Sequence, residues 1–204
     1  MDNEIGIVVA FITRETAGKR QLVAFRKPRE GTQLLNGGIE DGETPENALL
    51  RVIHEQSGLD VEVVAQLDAV EQTLEGNDRV VTEACTVELE PGDSARGIAR
   101  LKRGNPVQIM GAEAGGYMQV SCVFKLEDGV LHPDPRYAGY LKDKLLTDRI
   151  RTYLFQVKTS TPTEDQWIYK VNDFRSTEFY WADMDVELIP PQQAWLDRVR
   201  DRLG

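Results

Sequence analysis

The chain opens on an unbroken apolar run, Ile5-Gly-Ile-Val-Val-Ala-Phe-Ile12, rich in β-branched residues. A strand with one wet face alternates apolar and polar positions. A run with no polar position predicts a strand buried on both faces. The turn Thr16-Ala-Gly-Lys19 and a second apolar stretch, Gln21-Leu-Val-Ala-Phe25, extend this into a hairpin. A polar loop from Arg26 to Thr32 follows, and then the period changes. Leu49, Val52, Ile53 and Gln56 fall at i, i+3, i+4 and i+7, the spacing of one helical face. Thr44 is a natural N-cap for that helix. Pro45 suits its first position, Glu46 its first turn and Gly58 its left-handed stop. Val61 to Val70 reads as a further strand.

Residues from about 84 to 146 have another character. Turn-rich Glu90-Pro-Gly-Asp-Ser94 precedes Ala99-Arg-Leu-Lys-Arg-Gly-Asn-Pro-Val-Gln-Ile-Met-Gly111. Ala114-Gly-Gly-Tyr-Met-Gln-Val120 and Gly139-Tyr-Leu-Lys-Asp-Lys-Leu-Leu146 come later, with turns expected at Glu127-Asp-Gly129 and His132-Pro-Asp-Pro135. Alternation at Val107 and Ile109, and at Met118 and Val120, predicts short half-buried strands. These segments resemble a bacterial SH3-like domain; a long β-rich excursion of the main domain is the other reading. Three more strands are expected at Arg151–Val157, Gln166–Val171 and Thr177–Trp181. A last helix, begun by Pro190 and Pro191, puts Trp195, Leu196, Val199 and Leu203 on one stripe.

Composition narrows the function classes. The 204 residues carry a net charge of -10, with 41% hydrophobic and 28% charged residues. That is an ordinary globular balance, long enough for one domain or one domain with an insert. The negative charge argues against a nucleic-acid duplex or an anionic membrane as the main partner. The two cysteines, Cys85 and Cys122, lack metal-ligand spacing and read as reduced thiols. The residues before Glu4 show no basic leader, and Ile5 to Ile12 is too short to span a bilayer. A cytoplasmic protein is the expectation.

The chemistry lies between residues 37 and 59. Gly37, Glu43, Arg51, Ile53, Glu55, Gly58 and Leu59 match the Nudix box, and the stretch resembles that family's phosphate-and-metal motif. Val52 and Gln56 stand where the family has glutamates. Positions 52, 55 and 56 share a helical face, so the family's three carboxylates there converge on divalent cations. The resemblance implies an α+β fold, a Nudix-type α/β/α sandwich with a mixed sheet, carrying a small β-rich, SH3-like barrel insertion. The Nudix-like domain would be discontinuous, 1–83 and 147–204, with the insert at 84–146.

It also implies hydrolysis of a nucleoside diphosphate linked to another group, with Mg²⁺ or Mn²⁺ polarising phosphate and water. Carried over by position, Glu55, Arg51 and Glu43 are the catalytic candidates. Glu55, the Gly37 carbonyl and Glu40 are the metal candidates, and Arg26 and Gly38 the ligand-binding ones. Arg14 and Lys27 could also meet phosphate or could be plain surface cations. Glu164, Asp165 and Asp173 are candidate replacement carboxylates from later loops. Val52 can neither bind metal nor move a proton, and Gln56 brings no charge. Three readings follow. One is a protein with a degenerate box that binds a phosphorylated or nucleotide-like ligand with weak or no turnover. Another is an active Mg²⁺- or Mn²⁺-dependent pyrophosphohydrolase. The third is a scaffold meeting a protein partner through the insert. A homodimer stays open.

Overall fold

A computed structural model of the chain describes all residues except 1–3, 28–30, 93–95, 112–114, 123, 128–129 and 173–174. At 124–127, 130–133, 135, 171–172 and 175 it describes the backbone alone. The chain divides into two compact units: residues 6–70 with 152–204, and residues 1–5 with 71–151.

The first unit is built on an eight-stranded sheet. Its strands are β1 (Ile5–Thr16), β2 (Lys19–Lys27), β3 (Gly31–Gln33), β4 (Asn36–Gly38) and β5 (Val61–Thr73), joined later by β15 (Arg149–Thr159), β16 (Gln166–Asn172) and β17 (Arg175–Asp183). The order is β16-β17-β2-β1-β15-β5, with β3 pairing β2 and β4 pairing β1. The apolar run has the predicted form. Val8, Ala10 and Ile12 pack on one face with helix α1 (Pro45–Ser57). Val9 and Phe11 pack on the other with helix α2 (Gln192–Val199). Helices thus cover both faces of the sheet.

The hairpin closes through Ala17 and Gly18, both at positive φ (51° and 75°), between the paired Thr16 and Lys19. Two left-handed residues are what a two-residue hairpin turn needs. Along the last stripe, Leu196, Val199 and Leu203 are fully buried and Trp195 partly so.

The second unit holds β6 (Asp78–Val81), β7 (Cys85–Glu88), β8 (Gly97–Leu101), β9 (Pro106–Ile109), β10 (Tyr117–Ser121), β11 (Phe124–Glu127), β12 (Val130–Pro133), β13 (Ala138–Lys142) and β14 (Leu146–Thr147). Seven of these form one sheet in the order β14-β6-β9-β10-β13-β7-β8. Each neighbouring pair is antiparallel. The predicted alternation positions meet in one cluster: Val107 and Val120 are buried, and Ile109 and Met118 pack against them. Asp93, Ser94, Ala114, Asp128 and Gly129, named in the expected turns and strands, lie outside the described residues.

Among the described residues no helix is long and apolar enough to cross a membrane.

Candidate functional site

Helix α1 begins and ends where its sequence directs. The Thr44 side chain accepts from the Asn47 N–H at 3.2 Å, and Pro45 takes the first turn, where its missing N–H costs nothing. Gly58 stops the helix at φ 68°, its N–H donating to the His54 carbonyl at 2.9 Å. Ala48, Leu49, Val52 and Ile53 form the buried face. Each larger member contributes on the order of 1.5–3 kcal/mol by leaving water.

That face decides what the box positions can do. Val52 is 3% exposed and belongs to the core cluster. It lies against the Gly37 backbone: a Cβ added at Gly37 would sit 2.5 Å from Val52 Cγ2. Gly37 also pairs with Val8 as β4 runs beside β1. A bare backbone here lets the loop close over an apolar side chain.

Gln56 turns to the same strand, β4. Its Nε2 donates to the Asn36 carbonyl at 2.9 Å. Of the three positions where the family carries glutamate, one is core, one is an amide tied to the backbone, and one is Glu55.

Arg51 gathers the acidic loop. Its Nε and Nη2 donate to the two Glu43 oxygens at 2.9 and 2.8 Å, and Nη2 also donates to the Gly38 carbonyl at 2.9 Å. Glu40 stands 3.6 Å away and Glu55 3.4 Å. Glu43 further accepts from the Glu40 N–H at 3.0 Å. The Arg51 guanidinium holds the Glu43 carboxyl below its ordinary range, and Glu43 raises Arg51 in turn. A depressed carboxylate stabilises the fold above its unfolded pKa, and that contribution is lost as pH falls through the folded pKa. Glu43→Gln is therefore expected to cost about 1–3 kcal/mol at pH 7. Urea melts should show the gap from wild type closing below about pH 4.

The structure thus brings Arg51, Glu43, Gly38, Glu40 and Glu55 together. Glu43, a catalytic candidate, and the carbonyl of Gly38, a ligand-binding candidate, both accept from Arg51. Arg26 is exposed on β2 between Phe25 and Lys27. Alternation sends those two neighbours to the other face, where both line a cavity of about 340 Å³. Thr177 and Phe179 of β17 face them, and Gln33 and Asn36 complete the wall with Glu55 and Gln56. Phe25 and Phe179 are register partners whose rings meet edge to face at 5.5 Å, and Trp167 stacks on Phe179 at 5.5 Å.

Phe25, Gln33, Asn36, Thr177 and Phe179 were not legible as site residues. The i, i+2 spacing of 25 with 27 and of 177 with 179 is the signal that links them, once the pairing of β2 with β17 is known. Of the later carboxylates, Asp165 is spent on Arg14, whose guanidinium carbon lies 4.3 Å over the Trp181 ring. Glu164 does not line the cavity. Asp173 lies outside the described residues.

Among the described residues, no group of three or more His, Cys, Asp or Glu is placed to hold a metal ion. The cavity offers one carboxylate, Glu55, beside neutral amides. Mg²⁺ and Mn²⁺ favour sets of anionic and carbonyl oxygens. These donors do not fit a divalent ion held by shared carboxylates.

Two helix-covered faces of one sheet, with a capped helix and its preceding glycine loop lining a cavity, define the class. Residues 4–97 match the family model of the NUDIX domain. Hydrolases of that family generally use Mg²⁺ or Mn²⁺. Among curated proteins none matches the chain.

Similar solved structures include the E. coli dihydroneopterin triphosphate pyrophosphohydrolase, at 13% identity and TM-score 0.36, covering 89% of this chain and 81% of that one. The C. elegans Ap4A hydrolase is another, at 8% identity and TM-score 0.33, covering 98% and 90%. At those scores neither bears on the substrate.

Proposed function

We propose that this protein uses its Nudix domain to bind a nucleoside-diphosphate-linked or other phosphorylated ligand, with weak or no turnover. The observation that carries this reading is the working face of α1. Val52 is sealed in the core under Gly37, Gln56 is tied to the Asn36 carbonyl, and Glu55 is the one carboxylate in the cavity lining. Hydrolysis of a pyrophosphate needs charge neutralisation and an activated water, which metals supply in this family. Losing two of three carboxylates takes the formal charge of that face from -3 to -1, and divalent affinity falls with it. The cavity, by contrast, keeps aromatic walls, amides and Lys27, the features of a binding pocket.

A second reading, an active Mg²⁺- or Mn²⁺-dependent pyrophosphohydrolase, is favoured by the retained Glu55 beside the Arg51–Glu43 pair. For the rest of the chain, the proposal is a discontinuous Nudix-like domain, 1–83 and 147–204, interrupted by an SH3-like insert at 84–146. The insert's own sheet and apolar cluster support this.

Calorimetric titration with ADP-ribose, dinucleoside polyphosphates and nucleotides, followed by product analysis of the same mixtures, tests the reading. Heats of binding without accumulating product are expected. A flat response to every compound would sink it.

A further inference from the structure

The eight-stranded sheet ends in two unlike edges, β5 and β16. At β5, side chains already engage the backbone. Arg202 Nη1 donates to the Leu67 carbonyl at 2.7 Å, and the Asp68 carboxylate accepts from the Ala69 N–H at 2.8 Å. Edge groups engaged in this way are withdrawn from pairing with another strand. Among the described residues β16 pairs with β17 and with no other strand.

One contact sets the hydrogen-bonding phase of β16. Its register places Gln166 opposite Tyr180, so Asp165 stands opposite Trp181, and the Asp165 carbonyl accepts from the Trp181 N–H at 3.0 Å. Bonded pairs alternate along an antiparallel ladder. Trp167 and Tyr169 therefore turn their backbone groups to β17, while Gln166, Ile168 and Lys170 turn theirs outward. No described residue hydrogen-bonds to those three outward N–H and C=O pairs. Their side chains are exposed as well. Ile168, at 67%, is the most exposed large hydrophobic among the described residues. A β-bulge between Lys170 and Asn172 ends the regular edge.

An added strand would have to complete this ladder and set an apolar side chain beside Ile168. The sequence of β16 itself meets both needs. Turned antiparallel about a two-fold axis at Ile168, a second copy places its own Ile168 opposite the first. Gln166 then meets Lys170, and Trp167 meets Tyr169. Cross-strand pairs of apolar and aromatic residues are favourable, and like charges directly opposite are not. In a chain of net charge -10, residues 166–170 hold no acid, and their one cation falls opposite an amide. The two-fold contact also uses up both edges, so it closes at two copies.

We infer that the β16 edge is a self-association surface, on which two copies of this chain pair antiparallel through residues 166–170 and continue one sheet into the other. A contact of five residues a side buries less than the roughly 1,200–2,000 Å² of a stable interface, so the dimer is weak and concentration-dependent.

Sedimentation equilibrium of the full chain tests this, with a monomer–dimer midpoint expected at about 10–100 μM. Ile168→Lys sets two ammonium groups against each other at an exposed position. It should weaken dimerisation about tenfold or more and leave the melting temperature of the monomer near wild type. Ile168→Cys would face its own copy at a Cα separation of about 5.5 Å, within disulfide reach, and should form a covalent dimer on oxidation. Val64→Cys, exposed on β5, should give no more covalent dimer than the wild type with Cys85 and Cys122. A monomer up to about 500 μM would overturn the inference. So would a dimer that Ile168→Lys leaves intact, or cross-linking at 168 no greater than at 64.

Discussion

Val52→Glu should destabilise the fold by about 3–5 kcal/mol at pH 8, the cost of an uncompensated buried charge. The site explains the size. Val52 is 3% exposed among Leu49, Ile53 and the strand residues of the same cluster, with the Gly37 backbone against it. A carboxyl placed there finds no described cation in its cluster and loses its water, which raises its pKa above the unfolded value of about 4.3. With the folded pKa raised, stability is fully retained below the unfolded pKa and drains away as pH rises through the folded one. Urea melts at pH 5 and pH 8 check this, with the smaller loss expected at pH 5. A loss under 1 kcal/mol, unchanged between the two, would mean that the position is wet and the box face open.

The second large effect is at the end of the same helix. Gly58→Ala should cost about 2–4 kcal/mol, from a left-handed penalty of about 1 kcal/mol and overpacking of about 1–3 kcal/mol. Gly58 sits at φ 68°, and an added Cβ would fall 2.4 Å from Cε2 of Tyr169, a ring packed against the core. Gly18 provides the internal comparison. It has φ 75° and nothing within 4 Å of its would-be Cβ, so Gly18→Ala carries the backbone penalty alone. Thermal melts of the two variants should differ by the steric part. Equal losses would show that Tyr169 moves aside freely.

Much of this architecture is written locally. The run from Ile5 to Ile12 lacks polar positions because its alternate residues face α1 and α2. Thr44, Pro45 and Gly58 delimit α1 because caps depend on a few neighbouring backbone groups. The site is less local. That Val52 meets Gly37 follows from the register of β4 on β1, which no helix periodicity encodes.

That Gln56 binds the Asn36 carbonyl depends on strand β4, twenty residues earlier in the chain. The cavity needs β17 beside β2, with Phe179 opposite Phe25, a pairing between segments far apart in sequence. In sequence, Arg26 reads as a ligand-binding candidate at the start of the loop before the box. Strand alternation instead turns it away from its cavity-lining neighbours, Phe25 and Lys27.

The Arg51–Glu43 pair falls between these cases. Its residues are legible from the box as catalytic candidates, but which carboxylate Arg51 holds is not. The structure gives Glu43 the two short bonds and Glu55 the long one. A guanidinium that already has a bidentate carboxylate has little left for a helix neighbour at a wet position.

Under the proposed function, helix α1 keeps its structural role and gives up most of a metal-dependent one. Product release over time is the most direct measurement, with wild-type protein and Glu55→Gln run side by side on ADP-ribose and a dinucleoside polyphosphate, in Mg²⁺ and in Mn²⁺. Little or no product is expected from either protein, and no difference between them. Robust turnover by the wild type that Glu55→Gln abolishes would contradict the proposed function.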